Sequence, residues 1–221
     1  MGGRIMGDKL SINPWIGMWV RPRETIRAII QFNPGYLYPL LCLIYGFPMA
    51  LQIAQNFSLG DRFHVAAIVV VALILAIVVG AVMINIATAL FFWTGKWIGG
   101  IGTYQQIRAA VAWSNIPSVV NILIWFVNIA AFGSRIFRSD FIDTPFVGNE
   151  LGLIFMTSLV QLIVAVWAFI MILKALGEVQ GFSAWKALLN IIIPLLVIFV
   201  GVSILAWLFS MGSGASHHVM K

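Results

Sequence analysis

HVAAIVVVALILAIVVGAVMINIATALFFW, residues 64–93, decides what kind of protein this is. After His64 the run holds no ionisable side chain. It exceeds the roughly 20 apolar residues that a helix needs to cross a bilayer. Its length implies a tilt or a turn projecting into water. Four further runs read the same way: Tyr36–Gln55, Ile116–Phe137, Leu151–Lys174 and Trp185–Phe209. Their continuous apolar character, without period-2 alternation, favours helices over a barrel. In lipid each backbone polar group must be satisfied within its own segment, which a helix achieves. Across all 221 residues, 62% are hydrophobic and only 9% are charged. The mean hydropathy is +1.02. A soluble domain carries roughly 25% charged residues. The expected fold is therefore an all-α integral membrane protein, a bundle of five transmembrane helices.

Charge sets the expected orientation. Arg4, Lys9, Arg21, Arg23, Arg27, Lys96, Arg108, Lys174 and Lys186 fall on the amino-terminal side, with only Asp8, Glu24 and Glu178. Arg62, Arg135, Arg138 and Lys221 fall on the other side, with Asp61, Asp140, Asp143 and Glu150. The positive-inside rule places the amino terminus in the cytosol and the carboxyl terminus outside. The basic residues are too scattered for a nucleic-acid footprint, so no nucleic-acid partner is expected. No cleavable signal sequence is expected, because the first apolar run starts late and lacks a small-residue cleavage site. Cys42, the one cysteine, reads as a small buried hydrophobe.

Three polar entries punctuate the expected cytosolic side. Residues 1–35 form an arm containing PRETIRAIIQFNP, Pro22–Pro34. Ile26, Ile29 and Ile30 fall on one helical face and Arg23, Arg27 and Gln31 on another. This pattern predicts a short amphipathic helix at headgroup level. The island GGIGTYQQIRAAVAWSNIP, Gly99–Pro117, repeats the scheme. Gly99, Gly100 and Gly102 predict a flexible turn, and Thr103 with Gln106 matches a capping box. VQGFSAWKALLNIIIP, Val179–Pro194, is a shorter version. Arg23, Arg27, Arg108 and Lys186 are the candidates to meet lipid phosphates. Tyr104 and Trp113 are the candidate interfacial anchors. The start of the island helix could hold a phosphate, or the island could be a plain interfacial loop. Residues 36–210 form the expected membrane domain, and 211–221 an expected disordered outside tail. The Gly133–Glu150 loop reads as a solvated connector.

No Asp, Glu, Lys, Arg or His lies in the middle of a run. Proton relays and many ion-coupled carriers need such a group at depth. Neither Gly-x-Ser-x-Gly, His-Glu-x-x-His nor a Walker loop occurs. The chain is therefore expected to be non-enzymatic, without cofactor or metal. The His217–His218 pair on the tail makes a poor metal site. Uncharged polar residues do occur at depth. Ser114, Ser118, Asn121, Trp125 and Asn128 share a face of the third span. Asn85 and Thr88 lie on the second, and Thr157 and Gln161 on the fourth. They either hydrogen-bond between helices or line a polar path between spans 2, 3 and 4 for a lipid or small solute. Ala72, Ala76 and Gly80, spaced by four, predict a close helix contact.

Gly99–Gly100–x–Gly102–x–Tyr104 with Trp113–Ser114–x–x–Pro117 resembles the signature loop of the Yip domain family, the Ypt/Rab-interacting proteins. NPWIGMWVRPRETIRAIIQFNP resembles the start of its bacterial members. Gly177–Glu178–Val179–Gln180–Gly181 with Lys186–Ala187 resembles its loop between spans four and five. The resemblance implies five spans with a cytosolic amino terminus. In eukaryotic members it implies Golgi and endoplasmic-reticulum traffic and binding of prenylated Rab GTPases. This chain lacks their long polar amino-terminal region, which argues against Rab binding and for a bacterial cytoplasmic (inner) membrane. The expected role is membrane organisation or a trafficking-type adaptor. Its expected partners are membrane lipids and other membrane proteins, with oligomeric state left open.

Overall fold

The computed structural model describes Leu10 and residues 12–217, with no strand among them. Eight α-helices follow in order: α1 (Pro14–Val20), α2 (Pro22–Phe32), α3 (Tyr38–Asn56), α4 (Val65–Trp97), α5 (Tyr104–Ser114), α6 (Ser118–Phe132), α7 (Glu150–Gln180) and α8 (Ala184–His217). Five segments are long and apolar enough to cross a membrane, namely α3, α4, Ser118–Phe137, α7 and Trp185–Trp207. Each matches one expected run. The chain is a multi-pass membrane protein.

Two helices overrun their apolar stretches. At 1.5 Å per residue, α4 is about 50 Å long, well beyond the hydrocarbon thickness of about 30 Å. The surplus of α4, up to Trp97, and the end of α7, up to Gln180, project into a lobe completed by α1, α2 and α5. One core cluster fills this lobe, around Met18, Ile26, Ile29, Ile107, Trp113, Ala175 and Leu176, and continues into the spans through Leu41, Ile84 and Ile191. A second cluster joins α3, α4, α6 and the 3-10 turn Gly133–Phe137, around Leu51, Ala76, Trp125 and Phe137. The small-residue face of α4 packs as expected: Ala72, Ala76 and Gly80 are buried against α3.

Several expectations are corrected. The short helices form where predicted, but the apolar face of α2 does not enter the headgroup layer. Thr25, Ile26 and Ile29 are buried against α1, α5 and α7. The Gly133–Glu150 connector is not merely solvated. Arg135 pairs with Glu150 and lies against the rings of Phe132, Phe141 and Phe146. Ser139 N donates to Asp61 Oδ1 at 3.2 Å, and its hydrogen bonds hold the Asp61 carboxyl below its ordinary value. Helix α8 runs to His217, into the 211–221 segment. Gly212 and Gly214 each weaken a helix by about 1 kcal/mol relative to alanine, but neither removes a backbone donor as proline does. Arg4, Asp8 and Lys9 of the charge count, and residues 218–221 including His218 and Lys221, lie outside the described residues.

Candidate functional site

The glycine island is a socket, not a loose turn. Gly99 takes φ +86°, a left-handed conformation that glycine adopts without a Cβ penalty. Gly95, Gly100 and Gly102 close around the side chain of Gln180, the last residue of α7, which is 1% exposed. A Cβ at Gly95 or Gly100 would overlap the Gln180 amide. Gly102 N donates to Gln180 Oε1 at 3.3 Å, and Gln180 Nε2 donates to Phe91 O at 3.1 Å. Ile101 N donates to Gln180 O at 3.3 Å. Thr103 and Gln106 complete the capping box, so further amides at the island helix start are taken. The phosphate cradle considered for this turn is therefore occupied by the protein itself. Gly100→Ala and Gln180→Ala are each expected to lower stability by about 1–3 kcal/mol, through overlap and through stranded polar groups respectively. The double variant should lose less than the sum, because both changes act on one contact. Thermal melting of the three variants in detergent tests this.

The island helix α5 is buried from Ala109 through Ser114. Trp113 is 0% exposed and so is no interfacial anchor. Its ring meets Trp15 edge-on at 5.6 Å and stacks on Tyr36 at 6.1 Å. Tyr104 also turns inward. Its hydroxyl donates to Asn85 Oδ1 at 3.0 Å, and Asn85 Nδ2 donates to Tyr38 OH at 2.8 Å. Arg108, half-buried, holds its guanidinium carbon 4.5 Å from the Tyr38 ring centroid, with Nε unpartnered. The two anchors are drawn inward by different neighbours: Trp113 is covered by Trp15 of α1 and Tyr36 beyond α2, whereas Tyr104 turns onto Asn85 and Phe92 of α4.

The remaining cations divide. Arg27 Nε donates to Glu178 Oε1 at 2.7 Å, tying α2 to α7. This hydrogen bond and the carboxylate charge raise the Arg27 pKa further above its already high value. Arg27 is thus committed within the protein. Arg23, Lys96, Lys174 and Lys186 are exposed and have no carboxylate partner among the described residues. Arg21, Arg23 and Lys174 border one depression of about 250 Å³, with Glu24 as its only carboxylate among the described residues. Lys186 lies over the Phe182 ring at 5.9 Å.

The intramembrane polar residues do not form one path between spans 2, 3 and 4. On α4, Thr88 is fully buried and donates to its own Ile84 O, and Asn85 is engaged by the two tyrosines. The groove that exists lies between α3, α6 and α7. Ser118, Asn121, Trp125 and Gln161 border its first cavity, with Tyr45 and Gln52 of α3. Asn128, Thr157 and Gln161 border a second, with Gln52 and Gln55. The sequence reading missed Gln52 and Gln55, because they sit at the polar outer end of an apolar run. It also missed the buried Asn190, whose Oδ1 lies 2.6 Å from Thr94 Oγ1 and links α8 to α4. A lone amide inside an apolar run was the available signal.

Neither the curated proteins nor the solved structures offer a match to this chain. The family model of the Yip1 domain matches residues 16–205. That span runs from within α1 through most of the membrane-crossing part of α8, including the island and the Gln180 segment that docks into it. Two of the three stretches that resemble the family in sequence are thus one contact in space, and the chain belongs to the Yip1 domain family.

Proposed function

We propose that the protein is a non-enzymatic membrane adaptor whose lobe faces the cytosol and gathers anionic lipid headgroups. The carrying observation is the depression shared by Arg21, Arg23 and Lys174, which joins the start of α2 to the end of α7. The three cations there face one carboxylate, Glu24, which already lies 3.7 Å from Arg21. Lys96 and Lys186 extend the same sign along the lobe. A basic residue near an anionic surface contributes about 1 kcal/mol. The earlier candidates Arg27 and Trp113 drop out of this surface, and Arg21 and Lys174 enter it. The bacterial inner membrane and the inward amino terminus belong to this same reading, supported by the charge asymmetry.

The test uses the delipidated full chain in detergent, titrated with short-chain phosphatidylglycerol or phosphatidylcholine of equal chain length. Native mass spectrometry counts the bound lipid. The wild type is expected to prefer phosphatidylglycerol. Arg23→Gln with Lys174→Gln is expected to weaken that preference by up to roughly 30-fold, from about 1 kcal/mol per cation. Added salt should erase it in parallel. Equal binding of both lipids by the wild type, or an unchanged preference in the variant, overturns the proposal.

A further inference from the structure

The groove between α3, α6 and α7 holds hydrogen-bonding groups that the protein leaves unused. Ser118, Asn121, Trp125 and Asn128 follow one face of α6. From Ser118 to Asn128 this face rises about 15 Å, half of a bilayer core about 30 Å thick. The two cavities along it, about 270 and about 180 Å³, share Gln52, Trp125 and Gln161, so they are contiguous. Each water occupies about 30 Å³, so the space is that of several waters or a small polar group.

One wall is fixed. Gln52 Nε2 donates to Gln55 Oε1 at 2.9 Å and to Asn56 Oδ1 at 3.1 Å. Gln55 Nε2 donates to Ile136 O at 3.2 Å. Trp125 stacks on Phe137 at 5.5 Å, which holds its ring in the groove wall. The facing amides are idle. Among the described residues, Asn121 Oδ1 and Asn128 Oδ1 are buried without a partner, and Gln161 makes no side-chain hydrogen bond. Stranded amides in hydrocarbon cost free energy, so matter that hydrogen-bonds belongs between them. Helices α3 and α7 make no extended contact, so the groove opens sideways towards the bilayer.

The lining side chains are all uncharged. A phosphate or an ammonium would find no counter-charge there, whereas hydroxyls and amides would find both donors and acceptors. We propose that this groove binds a neutral, hydroxyl- or amide-bearing group, carried either by a membrane lipid as its headgroup or by a free small polyol. Asn121, Asn128 and Gln161 supply the contacts. This site is separate from the basic depression and stands or falls independently of it.

The experiment compares a monoglucosyl diacylglycerol with phosphatidylglycerol of the same acyl chains, and with free glucose, on the full chain in detergent. Native mass spectrometry reads lipid retention, and glucose is added as competitor. The glycolipid is expected to bind saturably. Asn121→Leu with Asn128→Leu should weaken it at least tenfold, and Gln161→Leu several-fold, while Arg23→Gln with Lys174→Gln leaves it unchanged. Competition by glucose identifies a site that takes the polar group alone. Retention without competition identifies the lipid as the source. Leucine is close to asparagine in shape and removes stranded acceptors, so the melting temperature of the double variant should hold or rise. If that variant does not fold, Gln161→Leu, on a different helix, decides. Equal glycolipid binding by the folded variants, or no binding of either neutral probe to the wild type, overturns the proposal.

Discussion

Gly46→Leu is expected to part α3 from α4 and to yield a chain that no longer runs as a single species in detergent. The reason is backbone, not side chain. A Cβ at Gly46 would overlap Ala76 O and lie 2.6 Å from Gly80 N. A Cβ at Gly80 would overlap Cys42 O in return. Two helices meet here through main-chain atoms, which cannot rotate away as the end of a flexible side chain can. The α3–α4 pairing is the most extensive in the molecule, so separation there propagates along both helices. Overpacking a core costs about 1–3 kcal/mol, occasionally more. Gly46→Ala should sit at the upper end of that range, and leucine beyond it. The sign makes the test sharp. Glycine to alanine within a helix normally stabilises by up to about 1 kcal/mol. Gly201→Ala on α8, where nothing lies within 4 Å of the added atom, should do so. Opposite shifts in melting temperature for Gly46→Ala and Gly201→Ala are the expected result. A rise for both would show that α3 and α4 do not meet through main-chain atoms at Gly46.

Half of that contact was visible in the sequence. Ala72, Ala76 and Gly80 repeat every four residues and announce a small-residue face, but the facing Gly46 stands alone in its run and announces nothing. The same limit explains the other differences. Hydropathy tells which residues avoid water, and it located all five spans. Lipid tails are as apolar as leucine, however, so hydropathy does not separate a lipid-facing residue from a protein-facing one. Trp113 and Tyr104 at the ends of a short polar segment carry the composition of interfacial anchors. Docking of α1 and α2 over α5 turns Trp113 into a core residue, and α4 draws Tyr104 inward through Asn85 and Phe92. The groove amides were recognised as polar at depth, but the choice of neighbouring helix is tertiary. Asn85 found two tyrosines, whereas Asn121 and Asn128 found a cavity. The island glycines read as flexibility because their partner, Gln180, lies 78 residues downstream of Gly102.

Trp113→Ala is the second substitution with a large expected effect, and it bears on function as well as on fold. Removing a fully buried tryptophan costs about 3–5 kcal/mol. Trp15 of α1 loses its edge-on partner, and Tyr36, in the turn between α2 and α3, loses its stacked one. The damage should stay in the lobe. Leu41, Cys42 and Ile84 share the cluster of Trp113, but α3, α4 and α6 are also joined by the second cluster around Leu51, Ala76 and Trp125, and a membrane helix keeps its backbone bonded inside its own segment. Hydrogen exchange is therefore expected to rise over residues 14–32 while α3 and α4 stay protected. Trp113→Phe, which keeps a ring, should show a smaller rise. An interfacial anchor would behave differently, since its loss would change depth in the bilayer without exposing α1 and α2. If exchange over residues 14–32 is unchanged, the lobe is held by the Arg27–Glu178 pair and not by the aromatic stack. The variant changes no charge, yet the basic depression draws Arg23 from α2 and Lys174 from α7. Its cations stay together only while α2 remains docked. Trp113→Ala should accordingly lose phosphatidylglycerol preference along with the protection of α2. Keeping the preference after α2 is released would mean that the cations act as independent charges, and the depression would then have no role as a unit.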